Sequence, residues 1–290
     1  MNPPLLRLAI LGSILASGAL VWGEHAPVRS EQPLFRSRVE VVEVDAAVTR
    51  GGAAVAGLTT SNFVVTDNGV VQDVTAALLG STPLRVTMVL DVSKSVSGSK
   101  LASLIKAGTA LVNTLGPKDQ ASLITFSHQV ALRVAMSASF GEIAEVLANL
   151  SGTGATSLRD AIYLGLANAS DDQSRALLLA FSDGFDTSSF MTGDAVIESA
   201  RRSNAVVHAL HFLPDKFLGQ LTEATGGRTW SARSDRQLEE LFGRVLDEMR
   251  ARYRLTYTPS GPATPGWHQI KVSLKGARGD VIARQGYFVQ

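Results

Sequence analysis

Residues 84–95 read Leu-Arg-Val-Thr-Met-Val-Leu-Asp-Val-Ser-Lys-Ser. Leu84 to Leu90 is an apolar run without the strict alternation of a half-exposed strand. Such a run predicts a strand covered on both faces, as in a parallel sheet. It stops at Asp91, so a carboxylate stands directly at a predicted strand end. Ser93 and Ser95 follow at alternate positions of the next loop.

Downstream the same grammar repeats. Leu101, Leu104, Ile105, Leu111, Val112 and Leu115 recur at helical spacing and are closed by Gly116-Pro117. Buried strands are predicted at Ala121–Phe126, Val130–Val134, Ala176–Phe181 and Val206–Phe212, with a short edge at Arg228–Trp230. Helices are predicted at Phe140–Leu150, Leu158–Ala169, Ala195–Arg202, Phe217–Ala224 and Leu238–Arg250. Alternating strands and helices predict an α/β fold, a doubly wound and mostly parallel sheet, over residues 84–250.

On both sides of it the period changes to two. Val39, Val41, Val44, Ala46 and Val48 are spaced like strand residues, Asp67-Asn68-Gly69 is a tight-turn signal, and Val70 to Val74 resumes as a strand. Tyr253–Thr258, His268–Leu274 and Val281–Val289 read the same way near the other end. Residues 33–82 and 252–290 are therefore expected to form one smaller antiparallel β region, with the α/β domain inserted in it.

Residues 1–26 differ in kind. A short, singly charged start leads into the apolar run Leu8–Trp22, and small residues stand near its end. The pattern predicts a secretory signal peptide, with an uncleaved anchor as the alternative. A periplasmic or secreted location follows. The chain has 290 residues, a net charge of +1 and no cysteine. The first two fit one large domain or two moderate ones with no charge excess for nucleic acid. The last excludes disulfides, thiolate metal sites and cysteine nucleophiles.

Three segments are expected at strand ends: Asp91-Val92-Ser93-Lys94-Ser95, Gly152-Thr153-Gly154-Ala155-Thr156 just before the helix that opens at Ser157-Leu158, and Phe181-Ser182-Asp183-Gly184. Open α/β sheets bind ligands at the carboxyl ends of strands, where strand order reverses. Ser93, Ser95 and Thr156 supply neutral hydroxyls there, and Asp91 and Asp183 supply carboxylates. Oxygen donors of this kind suit a hard cation, and Mg²⁺ takes about six of them. With few carboxylates bound directly, the ion keeps a net positive charge that an acidic group of a partner can complete.

At these residues the chain resembles the von Willebrand factor A family and its metal-ion-dependent adhesion site. Asp91, Ser93 and Ser95 match the Asp-x-Ser-x-Ser element. Thr156 matches the separate threonine, and Asp183 matches the acid of the strand-end Asp-Gly turn. The resemblance implies that Ser93, Ser95 and Thr156 contact the metal and that Asp91 and Asp183 act directly or through water. It implies Mg²⁺ as the cofactor, with Mn²⁺ or Ca²⁺ as alternatives, and a protein partner that supplies an acidic residue. Lys94 departs from the pattern and is expected to face solvent. A looser likeness to exported A-domain proteins of soil acidobacteria rests on Leu58–Phe63, Asp67–Gly69, Tyr253–Thr258 and Gly286–Phe288.

Rival readings are weaker. Asp91 as a phosphoryl-transfer nucleophile wants a second aspartate where Ser93 stands. Ser93 and Ser95 as helix caps leave Thr156 and Asp183 unexplained. No nucleotide-loop or hydrolase-elbow motif occurs, so an enzyme is not expected. A metal-dependent hydrolase and a structural module with a vestigial site are the alternatives. His208, His211, Trp230 and Trp267 read as packing or surface residues, Asp160 as a capping or surface acid, and Asp186 as a secondary member of the site.

Overall fold

The computed structural model describes residues 41–80, 82–169, 175–261 and 264–289. These fall in one unit, Val39–Gln290. The run Leu8–Trp22, and with it the signal-peptide reading, lies outside the described residues. Among the described residues no helix is long and apolar enough to cross a membrane.

The chain begins with β1 (Val42–Arg50), β2 (Ala53–Ala54), β3 (Phe63–Asp67), β4 (Val70–Gln72) and β5 (Val74–Leu79). Then come β6 (Leu84–Asp91), α1 (Ser99–Asn113), β7 (Gln120–Phe126), β8 (Val130–Ser137), α2 (Phe140–Ala148) and α3 (Leu158–Ala169). The α/β part continues with β9 (Arg175–Ser182), α4 (Gly193–Arg202), β10 (Val206–His211), α5 (Lys216–Thr225), β11 (Thr229–Ser231) and α6 (Gln237–Arg250). Last come β12 (Tyr253–Tyr257), β13 (Gly266–Leu274), β14 (Asp280–Ile282) and β15 (Gly286–Val289).

The central sheet has six strands in the order β11-β10-β9-β6-β7-β8. Neighbours run parallel except β8, which returns antiparallel along β7. Every residue of β9 is buried, as is all of β6 except Arg85. The reason is a core on each face of the sheet. One packs β6 and β9 against α1, α2 and α6 through Leu104, Leu111, Leu147, Phe242 and Met249. The other packs the opposite face against α3, α4 and α5 through Ile162, Leu166, Val196 and Leu221. Helix α6 shows how the pattern is cashed in space: Leu238, Leu241, Phe242, Val245, Leu246 and Met249 are its buried residues, at helical spacing. Strand order reverses between β6 and β9, because β7 and β8 extend on one side and β9 to β11 on the other.

The flanking strands form two antiparallel sheets that share a core. One has the order β14-β1-β12-β5 with β2 on β1, and the other has β15-β13-β3-β4. Val44 and Val48 of β1, Val65 of β3, Leu255 of β12 and Ile270 of β13 meet between them. Both ends of the chain contribute to each sheet: β1 pairs with β12, and β3 with β13.

Two expected strands are in fact divided. Val281–Val289 is two strands in different sheets, broken at Ala283–Gln285. There Arg284 turns to donate to the carbonyls of Arg201, in the last turn of α4, and Ser203, just after it, each at 3.1 Å. Val70–Val74 breaks at Asp73, where the chain passes from one sheet of the sandwich to the other.

Candidate metal centre

Asp91 closes β6 and Asp183 follows β9. The two strands pair in parallel, with Leu90 opposite Phe181, so both carboxylates emerge side by side where strand order reverses. Asp91 is wholly buried. Its Oδ1 accepts the Ser93 N–H at 2.8 Å, and its Oδ2 accepts the Ser182 hydroxyl at 2.8 Å. Burial pushes the Asp91 carboxyl above its ordinary range, with the Ser93 and Ser182 hydrogen bonds acting against it and the nearby Asp183 charge adding to it.

The two serines join Asp183 in a relay. Ser95 donates its hydroxyl proton to Asp183 Oδ1 at 2.7 Å. A hydroxyl has one proton, so the 3.1 Å contact between Ser93 Oγ and Ser95 Oγ has Ser93 as donor. The other Asp183 oxygen accepts the Lys100 ammonium, which also reaches the Ser95 carbonyl at 3.3 Å. Lys100 Nζ stands 5.2 Å over the Phe212 ring. Neither serine caps α1: the N-cap is Gly98, with no side-chain cap bond. Lys94 is exposed.

The third segment arrives through its backbone. Lys94 N–H donates to the Gly154 carbonyl at 3.0 Å, and Thr153 N–H donates to Val92 at 2.8 Å. The approach requires glycine. A Cβ on Gly152 would stand 2.2 Å from the Val96 carbonyl oxygen, and one on Gly154 would stand 2.1 Å from His128 Nδ1. Thr156 is thereby buried at the site. Its N–H donates to Thr187 Oγ1 at 3.0 Å, and its carbonyl accepts from Thr187 N–H at 2.9 Å. Among the described residues, its hydroxyl takes no part in the Ser93–Ser95–Asp183 relay.

Asp186 and Asp160 serve the loop that follows. Asp186 accepts from the Arg159 and Ser189 N–H groups at 2.9 and 3.2 Å. Asp160 accepts from Phe190 and Met191 N–H at 3.0 and 2.8 Å. The loop is pinned by its backbone, yet Phe185 is 57% exposed and Phe190 96%. His208 and His211 are buried in β10. His208 Nδ1 accepts the Trp230 indole N–H at 2.9 Å, and burial depresses its pKa well below the usual histidine value, so the ring is neutral. Trp267 packs edge-on against Phe288.

The donor set fits a hard divalent ion in kind. Hydroxyls of Ser93 and Ser95 and the carboxylate of Asp183 are linked by hydrogen bonds, and a positive group, the Lys100 ammonium, is already held there. Among the described residues no cluster of three or more histidine or acidic side chains is arranged for a metal, so hydroxyl oxygens would carry much of the coordination. The sequence analysis assigns no role to Lys100 or to Ser182. A cue existed for the first: a lysine in the opening turn of a helix opposes the helix dipole.

Residues 86–185 match the family model of the von Willebrand factor type A domain. No curated protein matches the chain in sequence. A von Willebrand factor type A protein from Catenulispora acidiphila superposes with a TM-score of 0.53 at 14% identity, over 88% of this chain and 76% of that one. Proximal thread matrix protein 1 of the mussel byssus gives 0.51 at 13% identity, over 62% of this chain and 49% of that one. A variant of the PilB minor pilin from Streptococcus sanguinis gives 0.50 at 12%, over 60% and 63%. At these identities the likeness concerns the fold, which for the α/β part is that of a von Willebrand factor type A domain.

Proposed function

We propose that this von Willebrand factor type A domain binds a protein partner through a divalent cation, Mg²⁺ before Mn²⁺ or Ca²⁺, outside the cytoplasm. Ser93, Ser95, Thr156 and Asp183 would hold the ion, with Asp91 behind them. The observation that carries the reading is the Ser93–Ser95–Asp183 relay at the reversal of strand order. An ion bound there supplies a positive centre that attracts a carboxylate of the partner.

The chain's own residues prepare the rest. Asp91 fixes the Ser93 backbone. Asp160 and Asp186 pin the loop that presents Phe185 and Phe190, so apolar contact area adjoins the charged centre. We read the site as binding rather than catalytic because the serine hydroxyls engage each other and Asp183, not a histidine base. The apolar run Leu8–Trp22 supports export.

A second reading has one observation in its favour. Lys100 already neutralises Asp183, as it would in a structural module with a vestigial site. Melting curves separate the two. Millimolar Mg²⁺, Mn²⁺ or Ca²⁺ should stabilise the wild type and leave Asp91→Ala unmoved. An ion present at about 100 times its Kd stabilises by roughly 2.7 kcal/mol. Identical wild-type curves with each cation and with chelator would reject the metal reading. Retention of a partner from envelope extract in Mg²⁺, and its release by chelator, tests the binding half.

A further inference from the structure

Helix α1 places a lysine in its first turn, against the direction of its dipole, and no acidic residue of that turn compensates it. Its side chain instead bends into the site. Lys100 Nζ touches Asp183 Oδ2, lies 3.3 Å from the Ser95 carbonyl oxygen and packs over the Phe212 ring. Asp183 is almost wholly buried, whereas Lys100 keeps 27% of its side chain exposed. One partner is fixed and the other has a way out.

We infer that Lys100 is a built-in competitor for the ion: it balances the Asp183 charge when no ion is bound, and it leaves for solvent when one binds. Both Asp183 oxygens are engaged, one by Ser95 and one by Lys100. Each oxygen keeps a second lone pair for an ion, but an ion bound there adds its charge to that of the ammonium on the same carboxylate. Ser95 is itself a candidate ligand, so the ammonium is the group that goes. Two cations on one buried carboxylate repel each other strongly where water cannot screen them, and lysine's flexible stem lets the head withdraw without moving the helix. The exchange would also free the Ser95 carbonyl and uncover the Phe212 face beside Leu213, which is exposed. Lys100 thus sets how much ion is needed to load the site and couples loading to the surface next to it.

The inference rests on the ion-binding reading, and titration calorimetry with Mg²⁺ alone distinguishes the two. Lys100→Met and Lys100→Gln remove the competitor and should bind Mg²⁺ about tenfold more tightly than the wild type, a typical size for coupling between two ligands. Lys100→Arg keeps the charge and should stay near the wild type. The ion-free melting temperature of Lys100→Met should fall and be recovered by Mg²⁺. Binding by the neutral variants and not by the wild type would uphold the competitor and overturn the metal reading for the natural chain. Equal or weaker binding by both neutral variants would overturn the competitor and leave the metal reading standing. Failure of every protein to bind would overturn both.

Discussion

Arg175, the first residue of β9, donates from Nε to the carboxylate of Asp45 in β1 at 2.8 Å, and from a terminal nitrogen to the Met249 carbonyl at 2.8 Å. The pair ties the start of the central sheet to the sandwich. Its side chains are 1% and 11% exposed. Removing one member of a buried pair leaves the other without compensation, at a cost of about 3–5 kcal/mol. Asp45→Asn should lower the unfolding free energy by that order in urea denaturation. Arg175→Met should cost less, since the Asp45 it leaves is nearer to water.

A second buried charge predicts a pH effect. His268 Nδ1 lies 2.8 Å from Asp67 Oδ1, and its Nε2 lies 2.7 Å from the Thr264 carbonyl. A carbonyl and a carboxylate both accept, so both ring nitrogens carry protons. Burial opposes that charge, but the Thr264 carbonyl and Asp67 outweigh it and hold the His268 pKa above 6.5. The folded value is raised, so the contribution is complete below the unfolded value of about 6.5 and is lost as pH rises through the folded one. Melting temperature should fall with rising pH above 6.5, and His268→Gln should flatten that slope. An unchanged slope in the variant would show that another group is responsible.

Gly152→Ala tests how the third loop is seated. Its Cβ would stand 2.2 Å from the Val96 carbonyl oxygen and 3.0 Å from the Ser93 carbonyl oxygen, and both contacts are backbone, so nothing nearby can yield cheaply. We expect a loss of about 1–3 kcal/mol together with loss of the Mg²⁺-dependent melting shift. Retention of the full shift would mean that the Thr156 loop is dispensable to the site.

Phe190→Ala separates stability from recognition. The side chain is almost fully exposed while its backbone is held by Asp160. Its removal should change unfolding free energy by no more than about 0.5 kcal/mol. Affinity for a Mg²⁺-dependent partner should fall about tenfold, as for an aromatic contact residue. Surface plasmon resonance with the retained partner reads this directly, and undiminished affinity would remove the loop from the interface.

Much of this was legible in the chain. The runs at Leu84–Leu90 and Ala176–Phe181 have helices on both faces, so burial erased the period of two and left a signal of its own. What stayed hidden depended on distant partners. Nothing local in Val281–Val289 shows that Arg284 must reach α4. Gly152 and Gly154 are visible as glycines, but the Val96 carbonyl and the His128 ring that require them are contacts of the folded state. Asp91, Ser93, Ser95 and Asp183 are brought together at the strand ends. Thr156 comes with them by its backbone, while its hydroxyl stands outside the relay. Lys100 was missed because its reach into the site is a matter of side-chain direction rather than spacing.

Leu79 of β5 and Tyr253 of β12 are register partners, so the chain enters and leaves the α/β part through two hydrogen-bonded neighbours. That junction acts as a mechanical clasp. Tension applied before β1 and after β15 crosses from strand to strand within the sandwich, and the long excursion beyond the clasp stays slack. The loops bearing Asp91 and Asp183 lie at the far end of that excursion, a strand of eight residues away, or roughly 25 Å. Tension between the two ends therefore bypasses the α/β part, and single-molecule pulling should rupture the sandwich before the central sheet yields.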